Sequence, residues 1–208
     1  MRVVENMAYN YSALQEEDNY EDYEDYEFFN GKQHGKIDYE IIGGEKVYMA
    51  AVAPNISHGI IVSRLNTIFN VYIDENDIDA FVLADNADVY LSDKSHVKPD
   101  VSVIIRKPNA INTEKVIKGA PDLVVEVLSE STKKYDIGGK KDDYEKYGVK
   151  EYWIVDPEDR SIKVYQLINE KFELSGDYKL HSDKTKIKVS IFDNLIVDLN
   201  NVFKWWLN

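Results

Sequence analysis

A glutamate inside an apolar segment is the feature that most constrains how this chain can fold. Residues 121–128 read PDLVVEVL, which is typical of a buried strand apart from Glu126. An ionised carboxylate taken out of water costs several kcal/mol unless a partner compensates for it. Glu126 therefore has a partner, faces a wet cleft or binds a cation, and these alternatives lead to different functions.

The composition is that of a globular protein with an uneven distribution of charge. The chain has 208 residues, 44% of them hydrophobic, which suits one domain with appendages. It has no cysteine, so disulfides and thiolate metal sites are excluded. The formal net charge of −13 argues against a large basic surface. Residues 1–30 carry −8 of it, which leaves only −5 for residues 31–208 and keeps a nucleic-acid substrate possible.

The N-terminal segment differs from the rest of the chain. Residues 1–30 contain NYEDYEDYEFF, a repeat of Tyr-Glu-Asp, and we interpret them as a solvated acidic arm. The alternative is an arm that docks through its tyrosines on a basic surface of this chain or of a partner. Residues 31–208 form the predicted domain. The start lacks the apolar core of a signal peptide and no apolar run could span a bilayer, so we expect a soluble, cytoplasmic protein without a membrane partner.

Hydrophobic periodicity predicts one α/β or α+β domain with a mixed sheet and two main helices. DYEII and EKVYM flank Gly43-Gly44, as in a β-hairpin, and Asn55 can cap a helix with an apolar face. Residues 80–92, 98–105 and 121–128 read as strands. A second helix is predicted from about Lys133 to Tyr147, with Gly148 as its stop. Further strands follow, and Val202, Phe203 and Trp206 suit a short docking helix at the end.

Two acidic residues occupy strand-like apolar segments. Asp100 follows Pro99 in KPDVSVII, and Glu126 comes 26 positions later, which leaves room for two neighbouring strands and a connection. Two carboxylates that converge from adjacent strands need a cation between them, or one of them must hold a proton. Mg²⁺ favours such a pair together with waters and phosphate oxygens.

The helix after Glu126 adds a lysine to these acids. At about 100° per residue, Lys140, Tyr144 and Tyr147 share one helical face with Ile137 close by, and we predict that this face points inward. An ammonium beside two carboxylates can orient a water and stabilise charge on a phosphate. This set favours metal-assisted phosphodiester hydrolysis over acyl transfer or glycoside chemistry, because no nucleophile–base pair stands out.

These residues resemble a known family. Pro99-Asp100, Glu126 in an apolar strand and a nearby lysine resemble the PD-(D/E)xK nuclease superfamily. The longer text PDLVVEVLSEST, then Asp136, Lys140 and Tyr144, then GVKEYWIVDP resembles the Uma-type family of restriction endonucleases. The similarity continues through YEIIGGEKVYM, APNISHGIIVSRL, KPDVSVI and IFDNLIVDLNNVF, over roughly residues 36–204.

The resemblance implies a restriction-endonuclease-like fold, flanking helices, additional antiparallel strands and roles for single residues. Asp100 and Glu126 would hold Mg²⁺ or Mn²⁺. Leu128 stands where the short motif has lysine, and Lys140 on the following helix would take that place. Glu40 and His58 match positions that recur in the family and would line the site. Such nucleases act on DNA and usually work as homodimers.

We therefore expect a Mg²⁺-dependent endonuclease that cuts DNA, with Lys140 positioning the attacking water. One alternative is a binding or regulatory module that keeps the nuclease fold without catalysis. Another is a structural protein that interacts through its acidic arm. The plainer interpretations of the site residues are a buried salt bridge for Glu126, a turn residue for Asp100, an exposed helix lysine for Lys140 and a packed or capping histidine for His58.

Overall fold

The structure, a computed structural model, describes residues 26–29, 32–36, 39–48, 55–84, 87–106 and 117–204. The chain divides into two compact units, Met1–Ile37 and Asp38–Asn208. The described part of the first unit is an antiparallel hairpin of β1 (Tyr26–Phe29) and β2 (Lys32–Lys36). Residues 1–25, which carry most of the predicted acidic arm, and Trp206 lie outside the described residues, so the arm and its boundary stay predictions.

The second unit contains the remaining elements in a mixed α/β arrangement. In chain order they are β3 (Tyr39–Ile42), β4 (Glu45–Tyr48), α1 (Ile56–Glu75), β5 (Ala80–Ala84), β6 (Val89–Ser92), β7 (Ser95–Val97), β8 (Val101–Ile105), β9 (Ile117–Lys118), β10 (Leu123–Val127), α2 (Lys133–Asp136), α3 (Gly139–Tyr147), β11 (Glu151–Asp156), β12 (Ser161–Ile168), β13 (Lys171–Lys179), β14 (Lys186–Lys188), β15 (Ile196–Asp198) and α4 (Leu199–Val202).

A six-stranded sheet forms the centre of this unit, in the order β13-β12-β11-β10-β8-β5. Among the described strand pairs of this sheet, only β10 and β11 are parallel, and they are connected through α2 and α3. A five-stranded sheet has the order β4-β3-β7-β6-β9, and β14 pairs with β15. The mixed sheet and the α/β class agree with the prediction.

Strand β10 is buried on both faces, which explains its nearly continuous apolar sequence. Leu123, Val125 and Val127 pack in a core with the buried side of α1. On this side the ring of Phe69 meets Trp153 edge to face, with 5.8 Å between centroids. Helix α1 thus covers one face of the large sheet.

The opposite face of β10 carries the glutamate. Val124 belongs to a second core with Tyr144 of α3, Tyr152 of β11 and Ile42 of β3. Because side chains alternate along a strand, Glu126 projects to the same side as Val124. This face therefore places Glu126 among α3 and the five-stranded sheet.

Two local predictions are confirmed. Gly43 and Gly44 join β3 to β4 with φ of 61° and 85°, the left-handed pair that a two-residue hairpin turn requires. The side chain of Asn55 accepts a hydrogen bond from Ser57 N at 3.2 Å and caps α1. Within the described ranges, every helix is too short or too polar to span a bilayer.

The predicted single helix from Lys133 to Tyr147 is wrong in its continuity. It is split between α2 and α3, and Ile137 at the break is 52% exposed instead of facing inward. Gly138 has φ −118° and ψ −107°, outside the helical region, and a Cβ there would lie 2.9 Å from Lys134 O. Gly148 ends α3 with φ 88°, as predicted.

Candidate active site

Neighbouring strands bring Asp100 and Glu126 together. Val101 of β8 pairs with Val125 of β10, so the residues just beyond them lie side by side. Asp100 N is 3.4 Å from Glu126 Oε2, and Val127 N donates to Asp100 Oδ2 at 2.7 Å. The two predicted metal ligands therefore lie next to each other at the N-terminal end of β8.

The ammonium of Lys140 lies among three carboxylates. Its Nζ is 3.1 Å from Glu40 Oε1, 3.2 Å from Glu126 Oε1 and 3.4 Å from Asp136 Oδ1. All four side chains are nearly inaccessible to solvent. The inward direction predicted for Lys140 is observed, and one positive charge faces three acids.

The two oxygens of Glu126 face different surroundings. Oε1 contacts Lys140 and accepts a hydrogen bond from the hydroxyl of Tyr144 at 2.7 Å. Oε2 points to the backbone of Asp100. Oε1 is thus fixed by side chains of α3, whereas Oε2 accepts a hydrogen bond from the backbone of Asp100.

A backbone hydrogen bond from outside the cluster fixes the carboxylate of Glu40. Residues alternate along β3, so Glu40 and Ile42 are buried on the same side of the strand. Its Oε1 accepts a hydrogen bond from Lys98 N at 2.6 Å, whereas its buried Oε2 has no hydrogen-bond partner among the described residues. A buried carboxylate oxygen without a hydrogen bond is unfavourable, so Oε2 of Glu40 can still accept a proton or contact a cation.

His58 lies on the open side of the site. It is in the first turn of α1, and its Nε2 is 3.1 Å from Asp100 Oδ1. The side chains of His58 and Asp100 are 13% and 19% exposed, against 0–3% for Glu40, Glu126, Asp136 and Lys140. Among these described site residues, Asp100 and His58 are therefore the two that solvent reaches.

Burial and crowding of like charges shift the protonation of these groups. Burial raises the pKa of Glu126 well above its usual value, Lys140 opposes this, and the neighbouring acids add to it. Burial likewise raises the pKa of Asp136 to about 6. Burial alone would lower the pKa of Lys140, but Glu126, Glu40 and Asp136 outweigh it and raise the pKa. Lys140 therefore stays charged, whereas binding of a proton or a cation would stabilise the buried carboxylates Glu126 and Asp136.

Two members of the cluster are absent from the site that the sequence predicts. Asp136 precedes Lys140 by four positions and so falls on the same helical face, which is the signal that could have added it. Tyr144 is predicted to face inward but without a role, since the pattern of a buried tyrosine resembles that of ordinary core. Tyr152 OH donates to Asp136 O at 2.8 Å and holds the end of α2.

Residues near the motif but outside the cluster have structural partners. Asp122 accepts a hydrogen bond from Ile105 N at 2.9 Å and pairs with Lys150 at 2.8 Å. Asp156 ends β11 and accepts hydrogen bonds from Glu158 N and Asp159 N in the following turn. Leu128, at the position of the usual motif lysine, packs in the second core.

The donor set suits a divalent cation that takes few ligands from the protein. Within the described residues, no group of three or more His, Asp or Glu side chains has the arrangement of a metal site. Mg²⁺ commonly takes only one or two carboxylates and completes its shell with waters and substrate oxygens. Asp100 with Glu126 Oε2 offers that donor chemistry, and the excess of acids over cations favours it, so these residues fit Mg²⁺ or Mn²⁺.

Comparison with known proteins relates this chain to a family. The Uma2 family, described as "Putative restriction endonuclease", matches residues 20–195. Uncharacterized protein slr1290 of Synechocystis sp. (strain ATCC 27184 / PCC 6803 / Kazusa) is 31% identical over 117 residues. That match spans 55% of this chain and only 57% of the length of the relative.

A solved structure shares the fold. It is described as the crystal structure of "a putative nuclease belonging to DUF820" from Anabaena variabilis ATCC 29413. The likeness has a TM-score of 0.65 at 20% identity and covers 81% of this chain and 91% of that chain. The match of the family model over residues 20–195, most of the chain, shows that the chain belongs to the Uma2 family.

Proposed function

We propose that this protein is a Mg²⁺- or Mn²⁺-dependent endonuclease that hydrolyses phosphodiester bonds of DNA. The observation that carries the proposal is the divided environment of Glu126. One oxygen is fixed by Lys140 and Tyr144, and the other accepts a hydrogen bond from the backbone N of Asp100, whose own side chain is the more exposed of the two. The family description and the nuclease relative support the same reaction class.

In this proposal Asp100 and Glu126 hold the cation. A bound divalent ion would polarise the phosphate and lower the pKa of a bound water. His58 contacts Asp100 and lies beside the approach to it, while Glu40 supports the cluster from the interior. The excess of negative charge around Lys140 gives the site its attraction for a cation.

In this proposal, Lys140 positions the attacking water. An ammonium has three N–H donors, and three carboxylates lie within 3.4 Å of Nζ. One of these contacts must therefore give way to a water when substrate and cation bind. Once a cation shares the charge of Glu126, the contact between Glu126 and Lys140 is the one that weakens.

The test is cleavage of supercoiled plasmid mixed with genomic DNA, so that many sequences are present, in Mg²⁺ or Mn²⁺ and in EDTA. Glu126→Gln should abolish cleavage. Glu151→Gln is the matched control, because Glu151 is also a buried strand glutamate, yet it accepts from Trp153 Nε1 and Ser190 N away from the cluster. Glu151→Gln should keep the activity of the folded fraction.

Calorimetric titration with Mn²⁺ on the same samples separates the alternatives. Binding that requires Glu126, without cleavage of any DNA, would favour a binding module with a nuclease fold. Absence of both binding and cleavage would overturn the proposal and leave Glu126 as a paired core acid. We also propose a homodimer in the cytoplasm, and light scattering of the purified chain tests the dimer.

A further inference from the structure

A cavity of about 360 Å³ adjoins α3, the helix that carries Lys140. It is formed by the Gly43–Gly44 turn, by the turn between β6 and β7, and by the second half of α3. None of the five predicted site residues lines it. Its volume falls within the range typical of small-ligand pockets, roughly 300–1,000 Å³.

The walls of this cavity are held by hydrogen bonds. Asp143 is 4% exposed, and its Oδ2 accepts from Gly43 N and Ser95 Oγ, both at 2.9 Å. Ser92 Oγ donates to Tyr147 OH at 2.8 Å. The hairpin turn, the β6–β7 turn and α3 are thus tied to one another around the cavity.

Two lysines at the cavity form no ion pair within the described part of the chain. These are Lys94 and Lys146. Lys133, Lys150 and Lys171 on the same unit each pair with a carboxylate. Lys146 Nζ instead lies 4.9 Å from the ring centroid of Tyr147. The cavity therefore combines two available ammonium groups, hydroxyls and a half-buried aromatic ring.

The position of the cavity relates it to the acid cluster. Tyr147 follows Lys140 by seven residues on the same face of α3, about 10 Å along the helix axis. Gly43 lies just after β3, three residues beyond Glu40, which is about 10 Å at the rise of a strand. Both walls thus place the cavity about 10 Å, the span of a nucleotide or two, from the buried members Lys140 and Glu40 of the cluster.

We propose that this cavity is a subsite for a nucleotide next to the scissile bond, which rests on the proposed nuclease function. Lys94 and Lys146 would bind a backbone phosphate, and Tyr147 would stack on a base or sugar. Asp93 and Asp143 also line the cavity. Their negative charge disfavours a free phosphate dianion more than a phosphodiester with a single charge, so the ligand is a unit of a polynucleotide.

The test measures binding of a fluorescein-labelled single-stranded oligodeoxynucleotide to the full chain in EDTA, over a series of salt concentrations. The double variant Lys94→Ala/Lys146→Ala should bind about tenfold more weakly or worse, with a salt slope smaller by about 0.7 for each phosphate that the variant no longer neutralises. Lys184→Ala/Lys186→Ala, which removes two exposed lysines outside the cavity, should bind like the native chain.

Competition identifies the ligand chemistry. Unlabelled oligonucleotide should displace the probe, whereas inorganic phosphate at equal phosphate concentration should not. Absence of binding by the native chain, equal losses in both double variants, or displacement by inorganic phosphate would each overturn the subsite. Because these measurements need neither metal nor turnover, the subsite can fail while plasmid cleavage persists, and the reverse also holds.

Discussion

The hydroxyl of Tyr144 donates to Glu126 Oε1 at 2.7 Å, on the same oxygen that Lys140 contacts at 3.2 Å. The other oxygen of Glu126 is thereby turned toward Asp100. A neutral donor and a cation together fix the orientation of one carboxylate. In metal sites, such hydrogen bonds to the ligands keep them aligned for the ion.

Tyr144→Phe removes this hydrogen bond and keeps the ring. We expect about 10- to 100-fold weaker Mn²⁺ binding by calorimetry, because the carboxylate of Glu126 loses a donor that orients it. Tyr152→Phe is the matched control: its ring lies 5.1 Å from that of Tyr144, but its hydroxyl donates to the backbone oxygen of Asp136. Both variants should lose about 1 kcal/mol of unfolding free energy. Equal Mn²⁺ affinity in the two variants would contradict an orienting role for Tyr144.

Glu126→Gln should separate stability from function. Burial and the nearby acids raise the pKa of Glu126, so a neutral side chain of the same shape relieves unfavourable charge. We expect the unfolding free energy at pH 7 in EDTA to stay level or rise by about 1 kcal/mol, as is common at functional sites. Glu151→Gln should instead lose about 1–3 kcal/mol, since Glu151 accepts hydrogen bonds from Trp153 and Ser190. Urea unfolding measures both, and a large loss in Glu126→Gln would indicate a stabilising ion pair.

Asp136 should give the cluster a dependence on pH. Its folded pKa of about 6 lies above the usual value of 3.8, so the fold binds this proton more tightly than the unfolded chain. Protonation of Asp136 therefore stabilises the fold. This contribution to the unfolding free energy is complete below about pH 4 and is lost as the pH rises through 6. Relative to Asp136→Asn in EDTA, the native chain should lose on the order of 2–3 kcal/mol between pH 4 and 7. Parallel stability curves for the two proteins would contradict the raised pKa.

His58 should act through Asp100. Its Nε2 is 3.1 Å from Asp100 Oδ1, while Val127 N fixes Oδ2. His58→Ala should weaken Mn²⁺ binding by about 10- to 100-fold with little change in melting temperature. His58→Gln, which can still donate a hydrogen bond, should recover part of the affinity. A loss of melting temperature without a change in affinity would instead indicate a packing or capping role.

Local chemistry made several elements predictable from the sequence. Gly43-Gly44 between alternating strands requires a hairpin, and Asn55 before an apolar periodic segment caps α1, because these depend on residues close in the chain. Glu126 in a buried strand predicted a partner, and the inward face of the helix predicted Lys140. The side-by-side position of Asp100 and Glu126 followed from two strands that become neighbours.

The break between α2 and α3 escaped prediction because glycines within a helical pattern signal flexibility without fixing a conformation. The structure shows why the joint is tight: a Cβ on Gly139 would lie 2.6 Å from Ile42 Cγ2. That contact comes from a strand almost a hundred residues earlier. For the same reason Ile137, expected on the inward face, is exposed.

The sequence by itself determined which side chains are too costly to bury without partners: Glu126, Asp100 and Lys140. Desolvation of a charge is a property of the residue and of its apolar neighbours in the chain. Only the tertiary structure decided that Lys140 faces three carboxylates, that Glu126 divides its oxygens between Tyr144 and Asp100, and that one oxygen of Glu40 is buried with no donor among the described residues. These relationships join strands and helices far apart in the chain, and the packing of two sheets around α3 sets their distances.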